Sequence, residues 1–197
     1  LDATGNIRWQ KTYGGNNWDH ITSLEATPDG GFIVGGSSGS NISGDKTENT
    51  CNSTSSYDYW VLKLDSAGTI QWQNNCGGYS RSAISCDKSE NPLTFFKDDY
   101  WVVKLDASGN IQWQNTIGGT DDDKLTDIQQ TADGGYICAG NSNSNISGDK
   151  TEANLGGFDF WIIKLSAAGG VLWQNTIGGN NSDIPNSVVP AIDGGII

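Results

Sequence analysis

Apolar and polar residues alternate along this chain with a period of two, in short runs separated by glycine-rich turns. In the run Asp58–Leu64, Trp60 and Leu62 fall on one face of an extended strand. Ile70 and Trp72 continue the pattern on a second strand. Apolar residues at the 3.6-residue spacing of an amphipathic helix are scarce. The pattern therefore predicts an all-β protein built from hairpins.

This tryptophan hairpin is repeated. The run returns as Asp99–Leu105 and Asp159–Leu165, and each copy is followed by a turn and a second tryptophan. The first turn, Asp65–Gly68, suits a type I turn with glycine in the left-handed position. We expect the three first tryptophans to be buried at equivalent places. Each copy of the strand carries a lysine whose aliphatic carbons are expected to pack on the sheet while its amine lies in water. These lysines are Lys63, Lys104 and Lys164.

A second hairpin lies between the copies of the first. It comprises Ile21–Thr27, an Asp-Gly-Gly turn and Phe32–Gly35, and it returns from Leu125 to Ala139. A polar loop, Ser-Gly-Asp-Lys-Thr-Glu, follows each complete copy, at residues 43–48 and 147–152. Four short antiparallel strands then make up each full repeat.

Stacked four-stranded units of this kind predict a β-propeller-like array of antiparallel blades, in preference to a β-solenoid, a sandwich or a string of modules. The approximate repeats are 1–65, 66–106, 107–166 and 167–197. We expect the array to be incomplete at both ends. The second repeat is shortened, because it lacks the Asp-Gly-Gly hairpin, which we call the inner hairpin. We expect Phe95 or Phe96 to fill the resulting gap.

The repeated motifs resemble a known family. The residues concerned are Trp9-Gln10-Lys11-Thr12 with Gly14-Gly15, Asp29–Ile33 and Asp58–Asp65. They are similar to the Trp-rich β-propeller repeats of secreted Bacteroidetes-type surface proteins, which are exported by type IX secretion. The resemblance implies a secreted or cell-surface location and a repeat architecture, and it implies no chemistry.

The net charge of −12 disfavours nucleic acids and anionic membranes as partners. Lysine and arginine are few and scattered, so the basic patch that nucleic-acid binding or an anionic membrane surface requires is absent from the sequence. No run of about 18 apolar residues exists, and no membrane insertion is expected. We expect a protein or glycan partner at the cell surface, and association with further repeats or another chain.

Few residues offer catalytic chemistry. The single histidine, His20, follows Asp19, but no nucleophile motif accompanies the pair. Asp19, Asp123 and Asp183 each lie four residues after a Gly-Gly pair, and recurrence in every repeat favours a structural role in turns. The sequence is therefore interpreted as non-enzymatic, with no cofactor.

The polar loops are weighed as calcium sites. Their carboxylates are few for a cation that takes six to eight oxygens, and a solvated loop is the favoured interpretation. The residues concerned are Asp45, Glu48, Asp149 and Glu152.

Trp18 breaks the register of the other tryptophans and is the candidate for an exposed ligand contact. Cys138 takes the strand position of Val34 and is expected to be a buried free thiol. A disulfide among Cys51, Cys76 and Cys86 is plausible outside the cell, with no pairing derivable. The function expected is an extracellular scaffold or adhesion module; the alternatives are a propeller-type glycan hydrolase or lyase and a structural spacer of a surface filament.

Overall fold

The computed structural model describes residues 1–50, 57–76, 98–191 and 194–197, and all regular structure in these ranges is β. This confirms the all-β prediction. The strands are β1 (Asp19–Ala26), β2 (Phe32–Ser38), β3 (Asp58–Leu64), β4 (Ile70–Cys76), β5 (Tyr100–Leu105), β6 (Ile111–Ile117), β7 (Asp123–Gln130), β8 (Tyr136–Ser142), β9 (Asp159–Leu165) and β10 (Val171–Ile177).

The strands form three antiparallel sheets. Two are four-stranded meanders, β1-β2-β3-β4 and β7-β8-β9-β10, and the third is the hairpin β5-β6. The chain divides into two compact units. Unit 1 holds residues 1–83 and 106–110, and unit 2 holds residues 84–105 and 111–197. Each unit contains one of the four-stranded sheets.

The two meanders have the same register. Gly36 pairs with Trp60 in unit 1, as Gly140 pairs with Trp161 in unit 2. The turns after β3, β5 and β9 end as the sequence predicts, in glycines with φ of 75°, 86° and 85°. Such a backbone is costly for any residue with a Cβ, which explains why glycine recurs there. These residues are Gly68, Gly109 and Gly169.

The core of unit 2 lies on the tryptophan face of β9. Trp161 and Ile163 are fully buried, and they pack with Cys138 of β8. β5 contributes the side chains of Tyr100 and Val102 to the same cluster. The core of unit 1 is built from the matching positions of β2 and β3, and it consists of Val34, Trp60, Leu62 and Leu64.

The expectation that the three first tryptophans are equally buried is wrong for Trp101. Trp60 and Trp161 are buried, whereas Trp101 is half-buried. Among the described residues β5 pairs with β6 alone, so no strand corresponding to β2 or β8 shields this face. The neighbouring Tyr100 is the aromatic residue that β5 buries.

Burial therefore ranks the losses of unfolding free energy expected on truncating Trp101 and Trp161. Trp161→Ala should lower the free energy of unfolding by about 3–5 kcal/mol, as expected for a fully buried aromatic side chain. Trp101→Ala should cost clearly less. Urea unfolding of both variants measures the difference, and equal losses would show that β5 is packed like β9.

Candidate functional site

Each repeat is joined to the next by a tryptophan that caps a turn. The indole Nε1 of Trp113 on β6 donates a hydrogen bond of 3.1 Å to the carbonyl of Ala167, in the β9–β10 turn. Trp72 makes the same bond to Ala107, at 3.0 Å. Trp9 makes it to Ser66, at 2.9 Å. We call this contact the turn clasp; its three copies are Trp9–Ser66, Trp72–Ala107 and Trp113–Ala167.

The glycine of each turn is part of the clasp. A Cβ added at Gly169 would lie 2.7 Å from the Trp113 ring, closer than real Cβ contacts allow. A second side chain two residues beyond Trp113, Asn115, donates its amide to the Gly169 carbonyl. Asn74 does the same at Gly109. Glycine is thus required twice, for its positive φ and for the close approach of the indole.

Most residues of the polar loops are exposed, in agreement with the sequence-based interpretation, but the lysine of each loop is buried. Lys150 is only 1% exposed, and its Nζ donates to Thr176 Oγ1 at 2.6 Å and lies 5.0 Å from the Trp161 ring centroid. In unit 1, Lys46 Nζ bonds Ser38 Oγ and Asn75 Oδ1, both at 3.0 Å. Each loop is therefore anchored by a cation over a core tryptophan.

Two buried acids face the Lys150 amine. Burial lowers the pKa of Lys150, and the charges of Asp123, Glu152 and Asp159 oppose that shift. Burial raises the pKa of Asp123, while hydrogen bonds from Ser142, Gly119 and Ser144 act in the opposite direction. Asp159 is fully buried beside them. The charges compensate one another inside the sheet, as buried ionic groups must.

The amines of two strand lysines are not in water, contrary to the prediction. Lys63 and Lys164 are buried, and their amines pair with the aspartates of the Asp-Gly-Gly turns. The distances are 2.9 Å from Lys63 Nζ to Asp29 Oδ2 and 2.8 Å from Lys164 Nζ to Asp133 Oδ1. Lys104 is half-buried and lies 5.9 Å from the Tyr136 ring centroid. These lysines fasten the inner hairpin to the tryptophan hairpin.

The carboxylates weighed as calcium ligands take part in the same framework. Glu48 Oε2 accepts the Asn75 N–H at 2.6 Å, and Glu152 Oε2 accepts the Thr176 N–H. Asp45 and Asp149 accept N–H groups of the preceding Gly-Gly pairs, at 3.2 and 3.3 Å. Across the described ranges, no three histidine, cysteine, aspartate or glutamate residues cluster as a metal site.

The Asp19 carboxylate is also hydrogen-bonded to groups of its own repeat. It accepts hydrogen bonds from the Gly15 N–H, Ser38 Oγ and Ser40 Oγ, at 2.8, 2.5 and 3.0 Å. None of its recorded bonds comes from His20, which is exposed at the mouth of a pocket. Asp123 has matching bonds to Gly119 and Ser144. This supports the structural interpretation of the recurring aspartates.

Trp18 stands apart from this framework. Its side chain is 76% exposed, in a loop whose backbone is held by a hydrogen bond from the Gly39 N–H to the Trp18 carbonyl, at 2.8 Å. Asn17 donates to the Gly39 carbonyl at 3.1 Å, and the partly exposed Tyr57 also flanks Gly39. A fixed backbone thus presents an indole to solvent.

One pocket was not foreseen from the sequence. It lies in unit 1, has a volume of about 410 Å³, and is lined mainly by apolar side chains of β2, β3 and the segment before β1. Trp9, Trp60 and Leu62 form its apolar wall.

Cys138 is fully buried with a free thiol, as predicted, and burial raises its pKa to about 12. Such a thiol is inert, because the reactive thiolate is suppressed. The structure does not bear on the proposed disulfide. Cys51 and Cys86 lie outside the described residues, as do Phe95 and Phe96 of the expected plug.

No protein-family model matches the chain, and no curated protein matches it significantly. No helix among the described residues is long and apolar enough to cross a membrane.

The clasp can be tested with two glycines of unit 2 that have nearly the same positive φ. Gly169 (φ 85°) faces the Trp113 ring, whereas a Cβ at Gly134 (φ 82°) would meet only Ala167 Cβ, at 3.9 Å. Gly134→Ala should cost about 1–2 kcal/mol from backbone strain alone. Gly169→Ala should cost more, because the indole must move. Urea unfolding measures both, and equal costs would contradict the clasp.

The lysine pairs predict a loss of stability in acid. The Lys164 ammonium, the Thr131 hydroxyl and the Gly135 N–H lower the pKa of Asp133. A lowered pKa in the folded state adds stability that is present above the unfolded value of about 3.9 and is lost as the pH falls. Wild type should therefore be more stable than Asp133→Asn at pH 7, and the gap should narrow progressively as the pH falls below about 4. A gap independent of pH would contradict the ion pair.

Proposed function

We propose that this chain is a non-enzymatic extracellular scaffold that binds protein or glycan through its loops. The observation that carries the proposal is the turn clasp, which links consecutive repeats through the same tryptophan and glycine positions. The acids and lysines of the repeats are likewise used in paired structural contacts. A catalytic site needs to occur once, whereas these constellations recur.

The repeats are proposed to form a propeller-like array of blades at the cell surface. Two meanders with one register support this, since each is a four-stranded unit of the size of a blade. The net charge of −12 is consistent with an exported, soluble surface. The resemblance of the repeats to secreted Bacteroidetes-type surface proteins supports the same location.

Trp18 is proposed as the contact residue. An exposed indole on a fixed backbone suits stacking on the apolar face of a sugar or packing into a protein partner, because it supplies large area at small entropic cost. Asn16, two residues earlier in the same loop, carries a side-chain amide for hydrogen bonds. The proposed site therefore combines an aromatic surface for stacking with a polar edge.

The test is a comparison of wild type with Trp18→Ala on a glycan array and on cell-surface protein extracts. Trp18→Ala should abolish binding while changing the free energy of unfolding by less than about 0.5 kcal/mol. The matched control is Trp173→Ala, since Trp173 is also exposed but stands at a clasp position. Binding that survives Trp18→Ala, or is lost equally in Trp173→Ala, would contradict the assignment.

A further inference from the structure

A buried lysine faces a side-chain carboxamide in unit 1. The amine of Lys46 donates a hydrogen bond of 3.0 Å to Oδ1 of Asn75, on β4. Lys46 is only 2% exposed, and its Nζ lies 5.9 Å from the ring centroid of the buried Trp60. Because a C=O bond is about 1.2 Å long, Nζ lies within about 4.2 Å of the Asn75 Cγ atom. A nucleophilic nitrogen is thus placed beside an electrophilic carbon, with little access to water.

The carboxamide of Asn75 is held by both of its polar atoms. Its Nδ2 donates to Asp58 Oδ2 at 3.1 Å and to the Asn49 carbonyl at 2.7 Å, while its Oδ1 accepts the Lys46 amine. Asp58 is 1% exposed. In an attack on Cγ the amide nitrogen is the leaving group, and the Asp58 carboxylate lies beside it. A carboxyl group in this position can carry a proton to that nitrogen.

A chain of two hydrogen bonds leads from the amine to a second acid. Lys46 Nζ also donates to Ser38 Oγ at 3.0 Å, and Ser38 Oγ donates to Asp19 Oδ1 at 2.5 Å. Ser38 is fully buried, whereas Asp19 is partly exposed. A lysine must lose a proton before it acts as a nucleophile, and burial favours the neutral amine. The Asp19 carboxylate is an acceptor for that proton, with Ser38 as the relay.

Unit 2 has the same arrangement except for the electrophile. The counterparts of the amine and the acid are Lys150 and Asp159, and both are buried. The residue in the place of Asn75 is Thr176, whose hydroxyl accepts the Lys150 amine at 2.6 Å. The other copies of this position in the sequence, three residues after the repeated tryptophan, are also threonines, Thr12 and Thr116. A carboxamide here is therefore peculiar to β4, whereas the contact with the lysine recurs.

We propose that Lys46 and Asn75 join in an intramolecular isopeptide bond, with Asp58 as the acid-base group. The bond from Lys46 Nζ to Asn75 Cγ forms, and the Cγ–Nδ2 bond breaks. One proton of the ammonium passes through Ser38 to Asp19 and from there to water. A second proton moves by way of Asp58 to Nδ2. The products are a secondary amide and one ammonia, and the reaction needs no oxidant, reductant or co-reactant.

The bond ties the polar loop of unit 1 covalently to β4. It closes a ring over residues 46–75, which contains β3 and the turn after it. A covalent ring restricts the unfolded chain in the same way as a disulfide does. The reaction takes place once in each molecule and gives no turnover. This inference goes beyond the proposed function and depends neither on it nor on Trp18.

The mass of the intact protein tests the proposal directly. The full 197-residue protein, purified in its folded form and then denatured and reduced, should have a mass about 17 Da below the value calculated from its sequence, because one ammonia is lost. Reduction removes any contribution of disulfides to the mass. A mass equal to the calculated value overturns the proposal.

Tryptic peptides locate the bond. A lysine in amide linkage is not cleaved by trypsin, so the segments 12–63 and 64–81 should appear as one branched peptide, with cleavage at Lys46 missing. Its mass should be about 17 Da below that of the two segments together. The same loss within a single linear peptide, as in a cyclic imide of another asparagine, would overturn the proposal.

Two variants separate the reaction from the fold. Asn75→Thr gives unit 1 the residue that unit 2 has at this position, so it removes the electrophile and keeps a partner for Lys46. Asp58→Ala retains both reacting groups and removes the acid. Each variant should have its calculated mass, while its far-UV circular dichroism matches that of wild type. A loss of about 17 Da that persists in either variant contradicts the assignment of these residues and overturns the proposal.

Discussion

The turn clasp is the contact on which the arrangement of consecutive repeats depends. A four-stranded sheet buries one face of its central strands only when a neighbour covers it. The clasp fixes that neighbour, since the indole of Trp113 packs on the β9–β10 turn while Ile117, on the same strand, is buried in the core beside Trp161. Trp113 thus donates a hydrogen bond to the backbone of the turn and also packs against the core cluster.

The contacts around the clasp are polar as well as apolar, because lysines of the described repeats are held in hydrogen bonds and ion pairs. The lysines of the polar loops lie over the core tryptophans, and the strand lysines hold the Asp-Gly-Gly turns. Each of these lysines is buried, and its charged amine lies against a hydrogen-bonding group, a carboxylate or an aromatic ring. Trp18 lies outside these repeated contacts.

The local pattern of the sequence was sufficient to predict strands, hairpins and the left-handed glycines, because alternation and turn chemistry act over a few residues. It was insufficient for groups whose surroundings come from distant parts of the chain. Lys63 looks like a surface lysine, but the pairing of Phe32 with Leu64 brings Asp29 to its amine. Trp101 has the same local sequence as Trp60, yet its burial is decided by which strands adjoin β5.

The most direct test of the account is a double-mutant cycle between Trp113 and Gly169. If the indole packs on the turn, Gly169→Ala in a Trp113→Ala background should cost no more than the strain of its positive φ, about 1–2 kcal/mol, and the two losses should be non-additive. Urea unfolding of the four proteins gives the coupling energy. Losses that add within about 0.5 kcal/mol would show that the two residues act independently and would contradict the clasp.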